Sequence, residues 1–148
     1  ILYFPVTRKD INTEQVRISF DEIIGNGEKI LVVDDMEDQR EIASQLLTRL
    51  GYCVSSVSNG EKAVEYLNAN SVDLLVLDMI MDPGIDGLET YKRILNIHPG
   101  QKAIIASGFS ESDRVREAQK LGVGAYVKKP YVMEKMAVAV REELDRKN

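Results

Sequence analysis

The chain has 148 residues, of which 44% are hydrophobic and 29% are charged, and its formal net charge is −5. A chain of this length can bury one sizeable core, so we expect a single compact domain with a tail. The negative net charge argues against direct contact with nucleic acid or with an anionic membrane. No apolar run approaches the ~20 residues that are needed to cross a bilayer.

The single cysteine, Cys53, cannot form a disulfide within the chain. In addition, no charged segment followed by an apolar one opens the sequence. Both observations favour a reducing, cytoplasmic location. We expect Cys53 to be a small core residue rather than a redox centre.

From residue 29 onward, short apolar segments alternate with amphipathic ones, and turn residues separate them. In chain order, the pattern predicts a strand at 29–35, a helix at 37–51, a strand at 52–57, a helix at 60–70, a strand at 72–78, a helix at 88–100, a strand at 102–107, a helix at 110–122, a strand at 124–130 and a helix at 132–148. Strands joined by helices of this length run parallel, with helices on both faces of the sheet. The sequence therefore predicts a doubly wound α/β fold with a five-stranded parallel sheet.

Two elements carry more detailed expectations. The first helix is predicted to place five apolar residues on one face: Ile42, Ala43, Leu46, Leu47 and Leu50. The third strand is apolar on successive residues, which is typical of a strand covered on both faces. We therefore place this strand near the centre of the sheet.

The predicted strands end in residues that can do chemistry. Asp34 and Asp35 end the first strand, Asp78 the third, Ser107 the fourth and Lys129 the fifth. In open parallel sheets, binding sites form outside the carboxyl ends of the strands. The sequence therefore predicts that these residues converge at one edge of the sheet.

Three carboxylates brought together repel one another, and a cation between them relieves the repulsion. An all-oxygen ligand set, with no second histidine and no second cysteine in the chain, favours Mg²⁺ or Mn²⁺ over zinc. A lysine and a hydroxyl opposite the metal suit an incoming phosphoryl group. A carboxylate can attack phosphorus to give an acyl phosphate, and Asp78 is the candidate nucleophile.

Four motifs in order, "DD" (34–35), "LVLDMIM" (75–81), "ASG" (106–108) and "KKP" (128–130), resemble those of the receiver domain of two-component response regulators. The resemblance extends over residues 29–147. It implies a flavodoxin-like (βα)₅ fold with strand order 2-1-3-4-5.

The resemblance also implies the roles of the residues around the metal. Asp78 would be the phosphoacceptor and would contact Mg²⁺. Asp35 would be a direct metal ligand and Asp34 a ligand through water. The backbone carbonyl of Ile80 would be the third protein ligand.

Three further positions match the family. Ser107 and Lys129 would contact the phosphoryl oxygens, and Pro130 would follow a cis peptide bond. Tyr126 resembles the aromatic switch residue, which would fill the space that Ser107 leaves when it moves toward the phosphoryl group. The surface formed by the fourth helix, the fifth strand and the fifth helix would then change shape.

One loop departs from the family pattern. Four residues, 82–85, separate Met81 from the pair Asp86 and Gly87, where the family usually has three. The extra length brings another carboxylate, Asp82, toward the metal site. Asp82 is expected either in the outer shell of the metal or, as the favoured reading, in solvent before a turn-forming proline.

A histidine must donate the phosphoryl group in such a relay. The only histidine, His98, precedes a proline at a helix end, which is a poor position for a donor. We therefore expect a separate histidine kinase or histidine phosphotransfer protein as partner, with a possible downstream protein target.

The segment "ILYFPVTR" resembles the last strand of the ATP-binding domain of histidine kinases. We thus divide the chain into an extension or linker at 1–28 and a receiver domain at 29–148. The parent would be a hybrid histidine kinase, whereas this chain would be a phosphoacceptor that catalyses its own phosphorylation and dephosphorylation. The alternative is that residues 1–28 are a leader without such a role.

Other classes fit less well. A haloacid-dehalogenase-like phosphatase needs a second aspartate two residues after the nucleophile, where Ile80 stands. A nucleotide-binding α/β domain needs a glycine-rich loop after the first strand. A receiver-like protein-binding module that is not phosphorylated stays open as the alternative function.

Overall fold

Strands and helices alternate along the described part of the computed structural model, which comprises residues 25–81, 84–108 and 113–146. The strands are β1 (Lys29–Val33), β2 (Cys53–Val57), β3 (Leu74–Asp78), β4 (Ala103–Ser107) and β5 (Tyr126–Lys128). The helices are α1 (Glu37–Arg49), α2 (Gly60–Ala69), α3 (Gly87–Ile97), α4 (Asp113–Leu121) and α5 (Met133–Asp145). The predicted alternation is confirmed, although β5 is shorter than the segment 124–130.

The five strands form one parallel sheet in the order β2-β1-β3-β4-β5. The doubly wound α/β fold and its strand order are thus confirmed. Strand β3 lies at the centre, and all five of its residues are buried. The register pairs Val33 with Leu77, and Asp78 with Ala106. The carboxyl ends of β1, β3 and β4 therefore meet at one edge.

Helices cover both faces of the sheet, and each face has its own apolar core. Because side chains alternate along a strand, Ile30 and Val32 pack against α1 and α5, whereas Leu31 and Val33 pack on the opposite face. The opposite face is covered by α2, α3 and α4. Because β3 is packed on both faces, Asp78 has a fixed position at the carboxyl end of this central strand.

Polar residues begin two of the helices. The Asn59 side chain accepts a hydrogen bond from Lys62 N at 2.8 Å at the start of α2. The Asp86 side chain accepts one from Glu89 N at 2.9 Å at the start of α3. Both contacts satisfy amides that have no partner inside the helix. They define the ends of α2 and α3 that border the predicted site.

Two sequence-based expectations are wrong. Ile42 is 47% exposed, because it lies at the margin of the apolar stripe of α1, whose buried residues are Ala43 and Leu47. Cys53 is exposed as well. It is the first residue of β2, an edge strand that has a neighbour on one side only.

The residues that precede β1 pack against the domain. Gly25 N donates to Leu50 O at 2.6 Å, and the Glu28 carboxylate lies 2.8 Å from the Arg141 guanidinium on α5. The predicted strand in "ILYFPVTR" falls outside the described residues. The division at residue 28 therefore stays a prediction. Within the described ranges, every helix is too short or too polar to cross a membrane.

Candidate functional site

The carboxyl edge of the sheet brings together the acidic residues that the sequence placed there. Asp34 follows β1, and its amide continues the sheet by donating to Val57 O at 3.3 Å. Asp35 is the next residue, and Asp78 ends β3. Carboxylate oxygens of the three aspartates lie within 4.8 Å of one another. Three oxygen ligands at this spacing are close enough to share one hard cation.

Burial of these carboxylates is uneven. Asp34 is 1% exposed and Asp78 is 7% exposed. Asp35 is more accessible than either. The cluster therefore consists of two buried carboxylates and a third, that of Asp35, which is more accessible to solvent.

The Asp34 carboxylate is held by protein donors. Oδ1 accepts a hydrogen bond from Met36 N at 3.0 Å, and Oδ2 accepts a short one from the Lys129 ammonium. The Asp34 backbone carbonyl accepts from Arg40 Nη1 at 2.9 Å. A carboxylate with both oxygens engaged by the protein suits a metal ligand that acts through water.

Lys129 places its ammonium group between two of the aspartates. It pairs with Asp34, and its Nζ lies 3.6 Å from Asp78 Oδ1. Its own amide donates to Ser107 O at 2.8 Å, which aligns the lysine with the end of β4. The Lys129–Pro130 peptide bond is cis. Lys129 and the Arg40 guanidinium thus bring two positive charges to three carboxylates, so the cluster keeps a negative excess.

The environment of Asp78 raises its pKa to about 6. Burial is the main cause, and the charges of Asp34 and Asp35 add to it, whereas the Lys129 ammonium opposes the shift. Asp78 is therefore mostly ionised at neutral pH, yet in a site that disfavours its charge. Such a group gains from any cation that binds beside it.

Ser107 and Tyr126 lie on neighbouring strands. Ser107 is 3% exposed at the end of β4. Tyr126 begins β5 opposite Ile105 and packs partly against the core on the α3 face. Its hydroxyl is buried and has no hydrogen-bond partner among the described residues. Because Ile105 and Ser107 point to the same side of β4, Ser107 and Tyr126 share one face of the sheet.

The loop after β3 contains the remaining predicted residues. The Ile80 side chain is 53% exposed, whereas its neighbours Met79 and Met81 are buried. Asp82 lies outside the described residues, so both readings of its role stay predictions.

Sequence reasoning missed two residues beside the cluster. Arg40 reaches back from α1 to the Asp34 carbonyl. Tyr131 lies with its ring centroid 5.9 Å from Lys129 Nζ. Its pKa is raised by burial and by the charges of Asp34 and Asp78. Tyr131 directly follows "KKP", and this position could have indicated that it lies near the site. No sequence pattern indicates the same for Arg40.

The fold and this site define a class of signalling domain. A model of the response regulator receiver domain matches residues 30–141, and the chain belongs to that family, which acts in two-component signalling.

Individual relatives agree with this assignment. The sporulation initiation phosphotransferase F of Bacillus subtilis is 32% identical over 121 residues, which cover 82% of this chain and 97% of that protein. The chemotaxis protein CheY of Thermotoga maritima is 30% identical over 117 residues, which cover 78% of this chain and 97% of that protein. The crystal structure of the response regulator protein TrrA from Thermotoga maritima in complex with Mg²⁺-BeF matches with a TM-score of 0.69 at 32% identity. That match covers 78% of this chain and 97% of TrrA.

The raised pKa of Asp78 leads to a stability prediction. Its folded pKa of about 6 exceeds the ordinary value of 3.8, so stability is lost as the pH rises from about 4 through about 6. We expect Asp78→Asn to raise the free energy of unfolding of the metal-free protein by about 2 kcal/mol at about pH 7.5.

Urea denaturation in a chelating buffer measures this gain. It should shrink as the pH is lowered from about 6 toward about 4, because Asp78 then becomes protonated in the native state. A gain that is independent of pH, or a loss of stability near neutral pH, would contradict the electrostatic explanation.

Proposed function

We propose that this chain accepts a phosphoryl group from a phosphohistidine onto Asp78, in a reaction that requires Mg²⁺ or Mn²⁺. The arrangement that supports this proposal best is the acidic cluster, in which a nearly buried carboxylate lies among two others and beside a lysine. A site with this negative excess repels a phosphoryl group unless a cation is bound. The requirement for a metal thus follows from the charges of the site itself.

The residues present fit a hard divalent cation. Asp35, the most accessible of the three, and Asp78 would be direct ligands, and Asp34, engaged by Met36 N and Lys129, would act through water. The carbonyl of Ile80 would complete the protein ligands. When bound, the cation supplies positive charge toward the phosphoryl oxygens.

The transfer itself uses the Asp78 carboxylate as nucleophile. One of its oxygens attacks phosphorus, the bond to the donor nitrogen breaks, and an acyl phosphate remains on Asp78. The Lys129 ammonium, 3.6 Å from Asp78 Oδ1, neutralises charge on the transferred group. The Ser107 hydroxyl would hydrogen-bond another phosphoryl oxygen. The same arrangement would let the chain use a small phosphodonor without a partner protein.

Incubation with acetyl phosphate tests the acceptor. We expect the wild-type protein to gain the mass of one phosphoryl group in the presence of Mg²⁺ and none in excess chelator. Asp78→Asn should abolish the gain, because it removes the nucleophile. Asp38→Asn, an exposed aspartate in the first turn of α1, is the matched control and should behave as wild type. Intact mass spectrometry measures all four conditions.

Two results would reverse the proposal. If the wild-type protein gains no mass, the chain is instead a receiver-like binding module that is not phosphorylated. If the gain survives Asp78→Asn, another residue is the acceptor.

We further infer that phosphorylation is read out on the surface formed by α4, β5 and α5. Ser107 and Tyr126 share one face of the sheet, and the Tyr126 hydroxyl has no partner among the described residues. No hydrogen bond from those residues therefore holds the Tyr126 hydroxyl in one position. Movement of Ser107 toward the phosphoryl group would alter the packing of Tyr126, and the surface around β5 would follow.

Nuclear magnetic resonance of ring-labelled tyrosine tests this switch. We expect the Tyr126 ring resonances to change when beryllofluoride and Mg²⁺ are added. Tyr66 is the internal control, because its hydroxyl bonds to Ser55 on β2, away from this surface. Ser107→Ala should weaken the change at Tyr126 while leaving binding of beryllofluoride detectable. Identical Tyr126 rotamer populations with and without beryllofluoride would contradict the switch.

We also propose that the domain is part of a hybrid histidine kinase, with a histidine kinase or histidine phosphotransfer protein as its partner. The support is the resemblance of residues 1–8 to the last strand of a kinase ATP-binding domain. The coding sequence upstream of Ile1 tests this directly. We expect an ATP-binding domain there, preceded by a helix with a phosphorylatable histidine. An upstream region without either would contradict the proposal.

A further inference from the structure

The loop that links β3 to α3 is closed at its base by backbone contacts. Gly87 N donates to Met79 O at 2.8 Å. A Cβ atom on Gly87 would lie 2.6 Å from the carbonyl oxygen of Asp78, so only glycine permits this approach. The loop that contains Ile80 therefore begins and ends directly beside the candidate phosphoacceptor.

On its other side, the same loop contacts a carboxylate on α2. Glu61 Oε2 accepts a hydrogen bond from Ile85 N at 3.3 Å. Gly84 has a φ of +117° and faces the same carboxylate, because a Cβ there would lie 2.8 and 3.0 Å from its two oxygens. The Glu61 carboxylate thus contacts two successive loop residues.

An apolar contact supports this polar one. Gly60 begins α2, and a Cβ at this position would lie 2.6 Å from Ile85 Cγ1 and 2.0 Å from Thr90 Oγ1. Thr90 in turn donates its hydroxyl hydrogen to Asp86 O at 2.6 Å. The second half of the loop is therefore packed against the N-terminal end of α2.

Helix α2, which carries Glu61, is held in place at its N-terminal end and along its buried face. It is capped by Asn59 and is buried against the sheet through Ala63 and Leu67. A glutamate in the first turn of a helix also interacts favourably with the helix dipole, and this effect alone would explain an isolated Glu61. The dipole does not account for the contacts to Gly84 and Ile85, which lie in a different segment.

We propose that Glu61 is a positioning residue for metal binding. By accepting the Ile85 amide, it would hold the C-terminal end of the loop, and thereby the Ile80 carbonyl that would face the cation. This proposal rests on the proposed function, because it assumes that the cluster of Asp34, Asp35 and Asp78 binds Mg²⁺. The need for such a contact follows from the extra residue between Met81 and Asp86, since a longer loop loses more conformational freedom when its geometry is fixed.

Three variants separate the hydrogen bond from the charge. Glu61→Ala removes both, whereas Glu61→Gln keeps an acceptor oxygen and removes the charge. Glu65→Ala, on an exposed site one turn further along α2, is the matched control. Isothermal titration calorimetry with MgCl₂ measures the dissociation constant of each protein, and thermal unfolding in chelating buffer measures its stability without metal.

We expect Glu61→Ala to weaken Mg²⁺ binding by about 3- to 10-fold, which is at or below the lower limit of the roughly 10- to 100-fold effects of removing a residue that contacts a metal ligand directly, because Glu61 acts on the Ile80 carbonyl only through the loop. Glu61→Gln should restore most of the affinity, and Glu65→Ala should bind as wild type. The thermal midpoint without metal should fall only slightly in Glu61→Ala, because Glu61 is exposed and its interaction with the helix dipole is weak, and it should stay unchanged in Glu65→Ala. An unchanged affinity in Glu61→Ala, or an equal loss in Glu61→Gln, would overturn the proposal.

A second measurement separates failure of this proposal from failure of the proposed function. The amide resonance of Ile85 in the metal-free protein reports the hydrogen bond without any cation. It should shift in Glu61→Ala and stay in place in Glu65→Ala. If wild-type protein binds no Mg²⁺, the proposed function fails. An Ile85 resonance that does not respond to Glu61→Ala overturns the hydrogen bond itself.

Discussion

Repulsion among three carboxylates is the constraint on which the rest of this structure depends. Asp34, Asp35 and Asp78 have oxygens within 4.8 Å of one another, and two of these residues are almost fully buried. Charges so placed lose hydration and repel one another, which is why the pKa of Asp78 rises to about 6 despite the nearby Lys129. The folded domain therefore tolerates an unfavourable site whose repulsion a divalent cation can relieve. The excess of negative charge in this cluster is therefore the property on which the proposed function of the domain depends.

The sheet supplies the rigidity that keeps the carboxylates together. Strands β1 and β3 are buried along nearly their whole length, and both faces of the sheet are covered by helices. Hydrogen bonds in register align Val33 with Leu77, so the aspartates that follow them emerge side by side. Apolar packing that gains free energy throughout the strands thus offsets the cost of the charges at their ends. A site built on strands in this way is held more precisely than one built on loops.

The sequence allowed the strand ends to be predicted, but not the contacts between elements. Alternation of apolar segments indicated five strands, and the chemistry at their ends followed from the geometry of parallel sheets. Ile42 was wrongly placed inside because periodicity alone does not define how wide a buried stripe is. The contact between Glu61 and Ile85 joins residues 24 positions apart, and it depends on how α2 packs beside the loop. Arg40 likewise acts through the Asp34 carbonyl, which no motif records.

The loop between β3 and α3 is joined at its base to the strand that carries Asp78. Gly87 N donates to Met79 O, and Gly87 lies against the Asp78 carbonyl, so the first and last residues of the loop are close together. Asp78 is part of the buried strand β3, whereas Ile80 lies within the loop and its side chain is exposed to solvent. If the domain binds Mg²⁺ as proposed, a change in this loop would alter the metal affinity more than the position of Asp78, and Glu61 would be the contact through which α2 limits that change.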